Sequence, residues 1–174
     1  LRGFLDESRS ESNVVVVLHM IGSHGPAYHL RYPAEFAKFQ PACNTAQFAD
    51  CRTEEIVNAY DNTILYTDHV LSQVVDMLKG QGGEVASSMI YMSDHGESLG
   101  ENGVDLHGMP YFMARSGQRH IPFLAWFSDR YRADETLDEA CLRDDAEKAY
   151  SQDNLFHSVL GMARVDTKVY DREL

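Results

Sequence analysis

Two adjacent side chains, Asp94 and His95, directly follow an apolar run, and another histidine, His107, comes twelve residues after His95. His24 has a similar setting in an earlier loop, and each of the three histidines precedes a glycine. Carboxylate and imidazole are ligands that suit zinc, and imidazole also binds and protonates phosphate groups near neutral pH. Glycine lets the backbone turn sharply and approach a ligand closely. This spacing predicts that the two loops share one metal or phosphate site.

The other titratable residues of these loops have simpler interpretations. Glu97 and Glu101 could support the site or face solvent, and we expect them to be solvated. Five further histidines are expected at core, surface or helix positions, and His19 is the one that borders a site loop. These five are His19, His29, His69, His120 and His157. The predicted site therefore consists of four side chains.

Apolar segments with strand character alternate with a helical segment. Residues 13–20 form a continuous β-branched run typical of a strand buried on both faces, and residues 85–93 and 121–128 are predicted as two further strands. Apolar residues at helical spacing occupy 53–79. Strand, helix and strand in this order predict an α/β fold, mainly a parallel sheet flanked by helices, with a right-handed crossover. Ligands of such sheets gather at the carboxyl ends of the strands, where both histidine loops begin.

The predicted helices have recognisable ends. Thr53 is the expected N-cap of the long helix, two glutamates suit its first turn, and Gly80 ends it. A later helix is predicted over 151–162, beginning near Ser151 or Asp153. Residues 1–12 read as the end of a helix that the chain enters midway. We therefore expect a fragment or a processed chain.

Composition indicates a globular protein and argues against one class of partner. The 174 residues fit one domain with a substantial core, and 44% of them are hydrophobic. Fifteen Lys and Arg against 27 Asp and Glu give a net charge of −12, which argues against nucleic-acid binding because phosphate backbones demand concentrated positive charge. No apolar run approaches the roughly 20 residues that cross a bilayer.

The three cysteines divide into a pair and a single residue. Cys43 and Cys51 enclose a short polar stretch, and a bridge closing so small a loop is plausible in an oxidising compartment. Two unrelated thiols or half of a metal site are the alternatives, and the spacing without a second pair favours the disulfide. Cys141 lies in an acidic segment predicted to be helical. It is either a free thiol or bonded to a cysteine outside these residues.

Four segments follow one another along the chain: VVVLHMIGSHGPAYHLRYP, NAYDNTILYTDHVL, MSDHGESLGENGVDLHGMPY and DNLFHSVLGM. With SHGPAY, YDNTILYTD and SDHGESLGE in this order, the chain resembles the periplasmic catalytic domain of the lipid A phosphoethanolamine transferases. That group belongs to the alkaline-phosphatase/sulfatase superfamily and includes the mobile colistin-resistance enzymes. The resemblance implies that residues 1–174 are the C-terminal portion of a sulfatase-like catalytic domain.

The resemblance also implies roles for the predicted site residues. It implies zinc held by Asp94 and His95, together with an upstream glutamate and a nucleophilic threonine that have no match in this chain. His24 and His107 are implied to be catalytic and substrate-binding, holding the phosphoethanolamine group or a second zinc. The implied reaction moves phosphoethanolamine from phosphatidylethanolamine to a lipid A phosphate, which confers polymyxin resistance.

The resemblance further implies a location and partners. It places the complete protein at the periplasmic face of the bacterial inner membrane, anchored by N-terminal helices, and it implies the Cys43–Cys51 disulfide. Phosphatidylethanolamine and lipid A are the implied partners. Because the implied nucleophile has no match in these residues, we expect this chain alone to lack transferase activity. Because the preceding half of the domain would supply strands that cover one sheet edge, we also expect the chain alone to self-associate.

Two alternative functions stay open at this point. A sulfatase or phosphomonoester hydrolase on the same scaffold would end the reaction with water, and its upstream nucleophile would identify it. A half-domain that binds zinc weakly and catalyses nothing is the non-enzymatic alternative.

Overall fold

The computed structural model describes residues 1–8 and 13–171. The longest element among them is helix α2 (Thr53–Lys79). Its bounds are those predicted from the apolar periodicity. Its N-cap is Arg52, not the expected Thr53. The Glu55 carboxylate accepts hydrogen bonds from the backbone N–H of Arg52 at 2.8 Å and from its guanidinium, and these bonds make Arg52 the N-cap.

Four strands form two antiparallel pairs in the described part of the chain: β1 (Ser88–Met92) with β4 (Phe123–Phe127), and β2 (Ser98–Leu99) with β3 (Asp105–Leu106). The strands predicted within 85–93 and 121–128 are confirmed as β1 and β4. The mainly parallel sheet expected from the order strand, helix, strand is not found among the described residues, because β1 and β4 run antiparallel. The connection between them holds only the short β2–β3 pair and the four-residue helix α3 (Ser116–Arg119), so the chain returns beside β1 in the opposite direction.

The segment 13–20, predicted as a strand buried on both faces, is not a strand here. It pairs with no strand among the described residues, and its side chains are largely exposed, with Val15 at 73% and Val17 at 86%. A β-branched run indicates side chains that favour extended backbone and burial. A strand also needs a neighbour whose N–H and C=O groups complete the ladder, and the run itself does not specify that neighbour.

Helices dominate both ends of the chain. Helix α1 (Arg2–Glu7) agrees with the helix end predicted at the chain start, although residues 9–12 of that segment lie outside the described residues. After β4 come three helices: α4 (Asp129–Glu135), α5 (Glu139–Asp145) and α6 (Asp153–Met162). The chain divides into two units, Leu1–Asp134 and Glu135–Leu174. The helix predicted over 151–162 is thus confirmed as α6, in the second unit.

The core of the first unit packs one face of α2 against the preceding loops. Tyr28 is 1% exposed, stacks on Phe48 with ring centres 5.6 Å apart, and meets Tyr60 edge-on at 5.4 Å. Cys43 and Cys51 form a disulfide with their Cα atoms 5.8 Å apart, which confirms the predicted bridge. This core holds the loop that carries His24 against the helix, because Tyr28 lies four residues further along that loop.

A buried polar side chain adds a second attachment. Asn62 is fully buried in α2, and its Oδ1 accepts hydrogen bonds from the backbone N–H groups of Lys38 and Phe39 at 2.8 and 2.9 Å. Its Nδ2 donates to the carbonyl of Phe39 at 3.0 Å. These bonds satisfy the hydrogen-bonding groups of the loop backbone inside the protein.

None of the helices in the described residues combines the length and apolar character needed to cross a membrane.

Candidate active site

The structure brings the three predicted histidines together. The ring centres of His95 and His107 lie 3.9 Å apart, and His24 lies 5.0 Å from His107 and 6.1 Å from His95. His24 comes from the loop before the 3-10 turn Tyr28–Leu30, His95 follows β1, and His107 follows β3. Two loops far apart in sequence therefore meet at one place, as the spacing of the histidine–glycine pairs suggested.

Each of the three imidazoles has its Nδ1 atom next to a hydrogen-bond acceptor. In His24 and His95, Nδ1 lies 2.7 and 2.9 Å from the carbonyl oxygen of the following residue. In His107, Nδ1 lies 3.1 Å from Oε1 of Glu97. Carbonyl and carboxylate oxygens accept hydrogen bonds, so Nδ1 carries the proton in each neutral ring and Nε2 keeps its lone pair. Three Nε2 atoms are thus left to bind a metal or to exchange hydrogen bonds with phosphate.

Glu97 is buried, and the expectation that it would be solvated is wrong. The residue is 8% exposed, and its Oε1 accepts a hydrogen bond from the backbone N–H of Gly25 at 3.2 Å while also contacting His107. Its Oε2 is buried and has no hydrogen-bond partner among the described residues. Glu101, by contrast, is exposed as expected. One carboxylate therefore connects the His24 loop to the His107 loop.

Asp94 lies at the solvent side of the same cluster. Its side chain is 84% exposed, its Oδ1 accepts from the backbone N–H of His95 at 3.1 Å, and its Oδ2 lies 3.8 Å from Nε2 of His95. Ligands of a tetrahedral zinc ion with bonds of about 2 Å lie about 3.3 Å from each other. The Asp94–His95 pair is therefore close to the separation at which both side chains contact one ion.

A second set of ligand atoms overlaps with the first. Within the described part of the chain, His95, Glu97 and His107 each offer one ligand atom, and these atoms lie within 4.8 Å of one another. Two imidazoles and one carboxylate form a donor set that zinc accepts in catalytic sites. The unpartnered Oε2 of Glu97 fits this role, because a buried carboxylate oxygen without a donor is costly. Sequence reasoning missed Glu97, although its position two residues after His95 was a usable signal.

Glycines permit the close approach of the backbone segments that build the cluster. A Cβ atom on Gly25 would lie 2.4 Å from Cδ2 of Leu106, and one on Gly96 would lie 1.9 Å from the carbonyl oxygen of Gly117. The N–H of Gly96 donates to the carbonyl of Gln118 at 3.0 Å. The loop after β1 is therefore pressed against the backbone of α3, and only glycine fits there without displacement of that backbone.

The buried Tyr28 and the partly buried Tyr60 lie near Glu97 and keep their protons. Burial raises the pKa of Tyr28 strongly, and the negative charge of Glu97 raises it further. Burial and Glu97 also raise the pKa of Tyr60. The Tyr28 hydroxyl is buried without a hydrogen-bond partner among the described residues. Both hydroxyl groups are therefore neutral at physiological pH.

The remaining histidines lie outside the three-ring cluster, as expected. His19, His69 and His120 are exposed, and His69 packs on Phe36 with ring centres 4.8 Å apart. His157, in the second unit, accepts a hydrogen bond through Nδ1 from the backbone N–H of Asp171. These contacts are local and give these residues ordinary structural positions.

Comparisons with known proteins identify the fold. The chain matches the Sulfatase family model over residues 1–165. It is 46% identical over 171 residues to phosphoethanolamine transferase EptA of Salmonella typhimurium, an alignment that covers 98% of this chain and 31% of that protein. The chain thus spans about a third of the length of this curated relative.

Solved structures give the same result. The soluble domain of lipooligosaccharide phosphoethanolamine transferase A from Neisseria meningitidis superposes with a TM-score of 0.93 at 41% identity, over 99% of this chain and 52% of that one. The C-terminal periplasmic domain of EcEptC from Escherichia coli, solved as a complex with Zn, gives a TM-score of 0.71 at 28% identity over 88% of this chain and 42% of that one. These likenesses confirm the predicted sulfatase-like α/β fold and the resemblance read from the motifs. The chain belongs to the Sulfatase family, and over nearly its whole length it is similar to phosphoethanolamine transferases.

Proposed function

We propose that residues 1–174 are the C-terminal portion of the catalytic domain of a zinc-dependent enzyme that moves phosphoethanolamine from phosphatidylethanolamine to a lipid A phosphate. The observation that carries the proposal is the convergence of His24, His95 and His107 beside two carboxylates, in a chain 46% identical to a phosphoethanolamine transferase. Imidazoles with free Nε2 atoms suit both a zinc ion and a phosphoryl group.

Different residues of this chain would bind the metal ion and the reacting phosphoryl group. Asp94 and His95 would hold zinc, which supplies a Lewis acid that lowers the pKa of a nucleophilic hydroxyl and draws charge from the phosphoryl oxygens. His24 and His107, when protonated on both ring nitrogens, would donate hydrogen bonds from Nε2 to the phosphoryl oxygens. Glu97 would orient His107 through its Nδ1 atom and hold the His24 loop through Gly25.

The proposed transfer consists of two displacements at phosphorus. In the first, a hydroxyl oxygen from a part of the protein outside these residues bonds to phosphorus, and the bond from phosphorus to the diacylglycerol oxygen breaks. The hydroxyl loses its proton, and the departing oxygen gains one, which His24 or His107 would deliver. In the second, an oxygen of a lipid A phosphate bonds to the same phosphorus, the bond from phosphorus to the hydroxyl oxygen breaks, and that oxygen regains a proton, so the phosphoethanolamine group ends on lipid A.

The same proposal places the complete protein at the periplasmic face of the bacterial inner membrane. The solved EcEptC relative is a C-terminal periplasmic domain. The Cys43–Cys51 disulfide supports this location, because structural disulfides persist in the oxidising periplasm and are rare in the cytosol.

The decisive assay uses the complete protein with a fluorescent phosphatidylethanolamine and lipid A. We expect release of fluorescent diacylglycerol together with a lipid A product that is heavier by one phosphoethanolamine group. His24→Gln and His107→Gln should each lower the rate by orders of magnitude while zinc stays bound. Free phosphoethanolamine in place of modified lipid A would identify a hydrolase and overturn the transferase proposal.

Zinc stoichiometry distinguishes the two overlapping ligand sets. Asp94→Asn should remove bound zinc and activity together, whereas Asp105→Asn, an exposed acid in the same region, should change neither. Mass spectrometry measures how much zinc stays bound to each variant after dialysis. If Asp94→Asn keeps one zinc per chain while Glu97→Gln loses it, the ion is held by the set His95, Glu97 and His107.

A further inference from the structure

Three consecutive apolar side chains lie in solvent shortly after the active-site loop. Tyr111, Phe112 and Met113 are 77%, 86% and 53% exposed, and they begin four residues after His107. Isolated exposed apolar residues are ordinary, but a contiguous group of large ones marks an interaction surface. We call Tyr111, Phe112 and Met113 the aromatic turn.

The aromatic turn is an ordered element. The backbone N–H groups of Met113 and Ala114 both donate to the carbonyl of Pro110, at 2.8 and 2.9 Å. Arg119, in helix α3, places its guanidinium carbon 5.0 Å from the centre of the Tyr111 ring. Such a cation–π contact is favourable and fixes the ring beside a positive charge. The exposure of these side chains is therefore a property of a folded turn.

The charge around the aromatic turn is opposite to that of the rest of the chain. No Asp or Glu occurs between Leu106 and Ser128, although the whole chain has 27 acidic residues and a net charge of −12. Arg115 and Arg119 are both exposed in this stretch, and neither forms an ion pair with a described carboxylate. Two arginines thus border the apolar side chains with no acid nearby in sequence.

We propose that the aromatic turn, together with Arg115 and Arg119, is a membrane-contact surface that enters the interface of a bilayer containing anionic phospholipid. Phe112 and Met113 suit the boundary between headgroups and acyl chains, and tyrosine favours the headgroup level, where its hydroxyl stays hydrated. The arginines reach lipid phosphates, and the absence of Asp and Glu from residues 107–127 reduces repulsion by a negatively charged leaflet.

A lipid surface fits these features better than a protein partner does. The apolar residues form one short turn of three side chains, which is small for a stable protein interface but sufficient for shallow insertion. The charge complementarity also points to phosphate. Contact here would hold the His107 loop at the bilayer surface. The inference concerns binding alone, so it can fail or succeed independently of transferase activity.

Vesicle flotation of the 174-residue chain tests the proposal. Vesicles of neutral phosphatidylcholine are compared with vesicles in which about a third of the lipid is phosphatidylglycerol. We expect stronger partitioning onto the anionic vesicles and weakening by added salt. Phe112→Ser should reduce the partition coefficient about tenfold on the anionic vesicles. Arg115→Gln and Arg119→Gln should each reduce it about fivefold there and leave it unchanged on neutral vesicles.

Matched controls separate this surface from non-specific adhesion. Leu30 is a single exposed apolar residue, 71% exposed, between His29 and Arg31, and Arg143 is an exposed arginine of α5. Leu30→Ser and Arg143→Gln should leave partitioning unchanged. An equal loss in Leu30→Ser and Phe112→Ser would overturn the proposal. The proposal would also be overturned if the chain did not bind vesicles but formed a dimer that Phe112→Ser dissociates. The aromatic turn would then be a protein interface. Circular dichroism of each variant confirms the fold.

Discussion

Removing the Glu97 carboxylate should loosen two loops at once. Its Oε1 accepts from the backbone N–H of Gly25 at 3.2 Å and contacts Nδ1 of His107 at 3.1 Å. Leaving the buried Gly25 N–H without an acceptor costs about 1–3 kcal/mol, and the half-exposed His107 contact adds up to about 1 kcal/mol. The loss is partly offset, because Oε2 is itself buried and unpartnered. We expect Glu97→Ala to lower the free energy of unfolding by about 1–3 kcal/mol.

Urea unfolding followed by fluorescence measures this change, since Trp126 in β4 is the single tryptophan of the chain. Glu97→Gln keeps an oxygen for the Gly25 N–H and should lose less than Glu97→Ala. Glu101→Ala is the matched control, because Glu101 is an exposed acid of the same loop, and it should change the free energy of unfolding by at most about 0.5 kcal/mol.

Activity provides a second readout of the same carboxylate. Loss of a group that orients a histidine of an active site typically weakens metal affinity or activity by about 10–100-fold. With zinc assigned to Asp94 and His95, we therefore expect Glu97→Ala in the complete protein to lower the transfer rate and to leave the zinc content unchanged, and Glu101→Ala to match the wild type in both. If Glu97→Ala unfolds at the wild-type urea concentration with an unchanged slope, the structural role assigned to Glu97 is refuted.

Two further predictions concern packing and pH. Gly96→Ala should destabilise the chain by about 1–3 kcal/mol, because its Cβ would lie 1.9 Å from the Gly117 carbonyl oxygen. Gly83→Ala is the control and should not destabilise the chain, because a Cβ there has nothing within 4 Å. Urea unfolding compares the two variants, and equal midpoints would contradict the close approach at Gly96. Burial raises the pKa of Tyr28 above its unfolded value near 10, so above about pH 10 the unfolded chain releases a proton that the folded chain keeps. The free energy of unfolding should be unaffected by this group below pH 10 and fall by up to about 1.4 kcal/mol per pH unit above it, and Tyr28→Phe should flatten that fall in urea titrations at pH 8 to 11.

Local signals predicted the helices well. The apolar spacing of residues 53–79 and the terminal Gly80 define α2, because helix formation depends on neighbours three and four positions away. The N-cap was misjudged because Glu55 bonds back to Arg52, a contact that competes with the hydroxyl of Thr53 as the start signal. The strands β1 and β4 were also found as apolar runs.

Pairing between strands was not predictable from the same patterns. The run 13–20 has the composition of a buried strand but no strand partner among the described residues, and β1 and β4 pair antiparallel where a parallel sheet was expected. Strand composition describes which side chains favour an extended, buried backbone. The direction and identity of the neighbour depend on how the intervening chain folds, which no local pattern contains.

By itself, the sequence determined which ligands the site side chains could bind, and it predicted that three histidines and Asp94 would meet at one place. Three histidine–glycine pairs in loops and an adjacent aspartate were enough to predict a shared site, because residue type sets ligand preference. The expected reason for their meeting, convergence at one edge of a parallel sheet, was wrong, because residues 13–20 form no strand and His107 follows the separate β2–β3 pair. Only the tertiary structure decided that Glu97 is part of this site. An acid in a polar, glycine-rich loop is normally solvated, and its burial follows from contacts with Gly25, 72 residues earlier, and His107. Burial and hydrogen-bond partners are properties of segments that meet in space, and for that reason they are absent from the local pattern of any one of them.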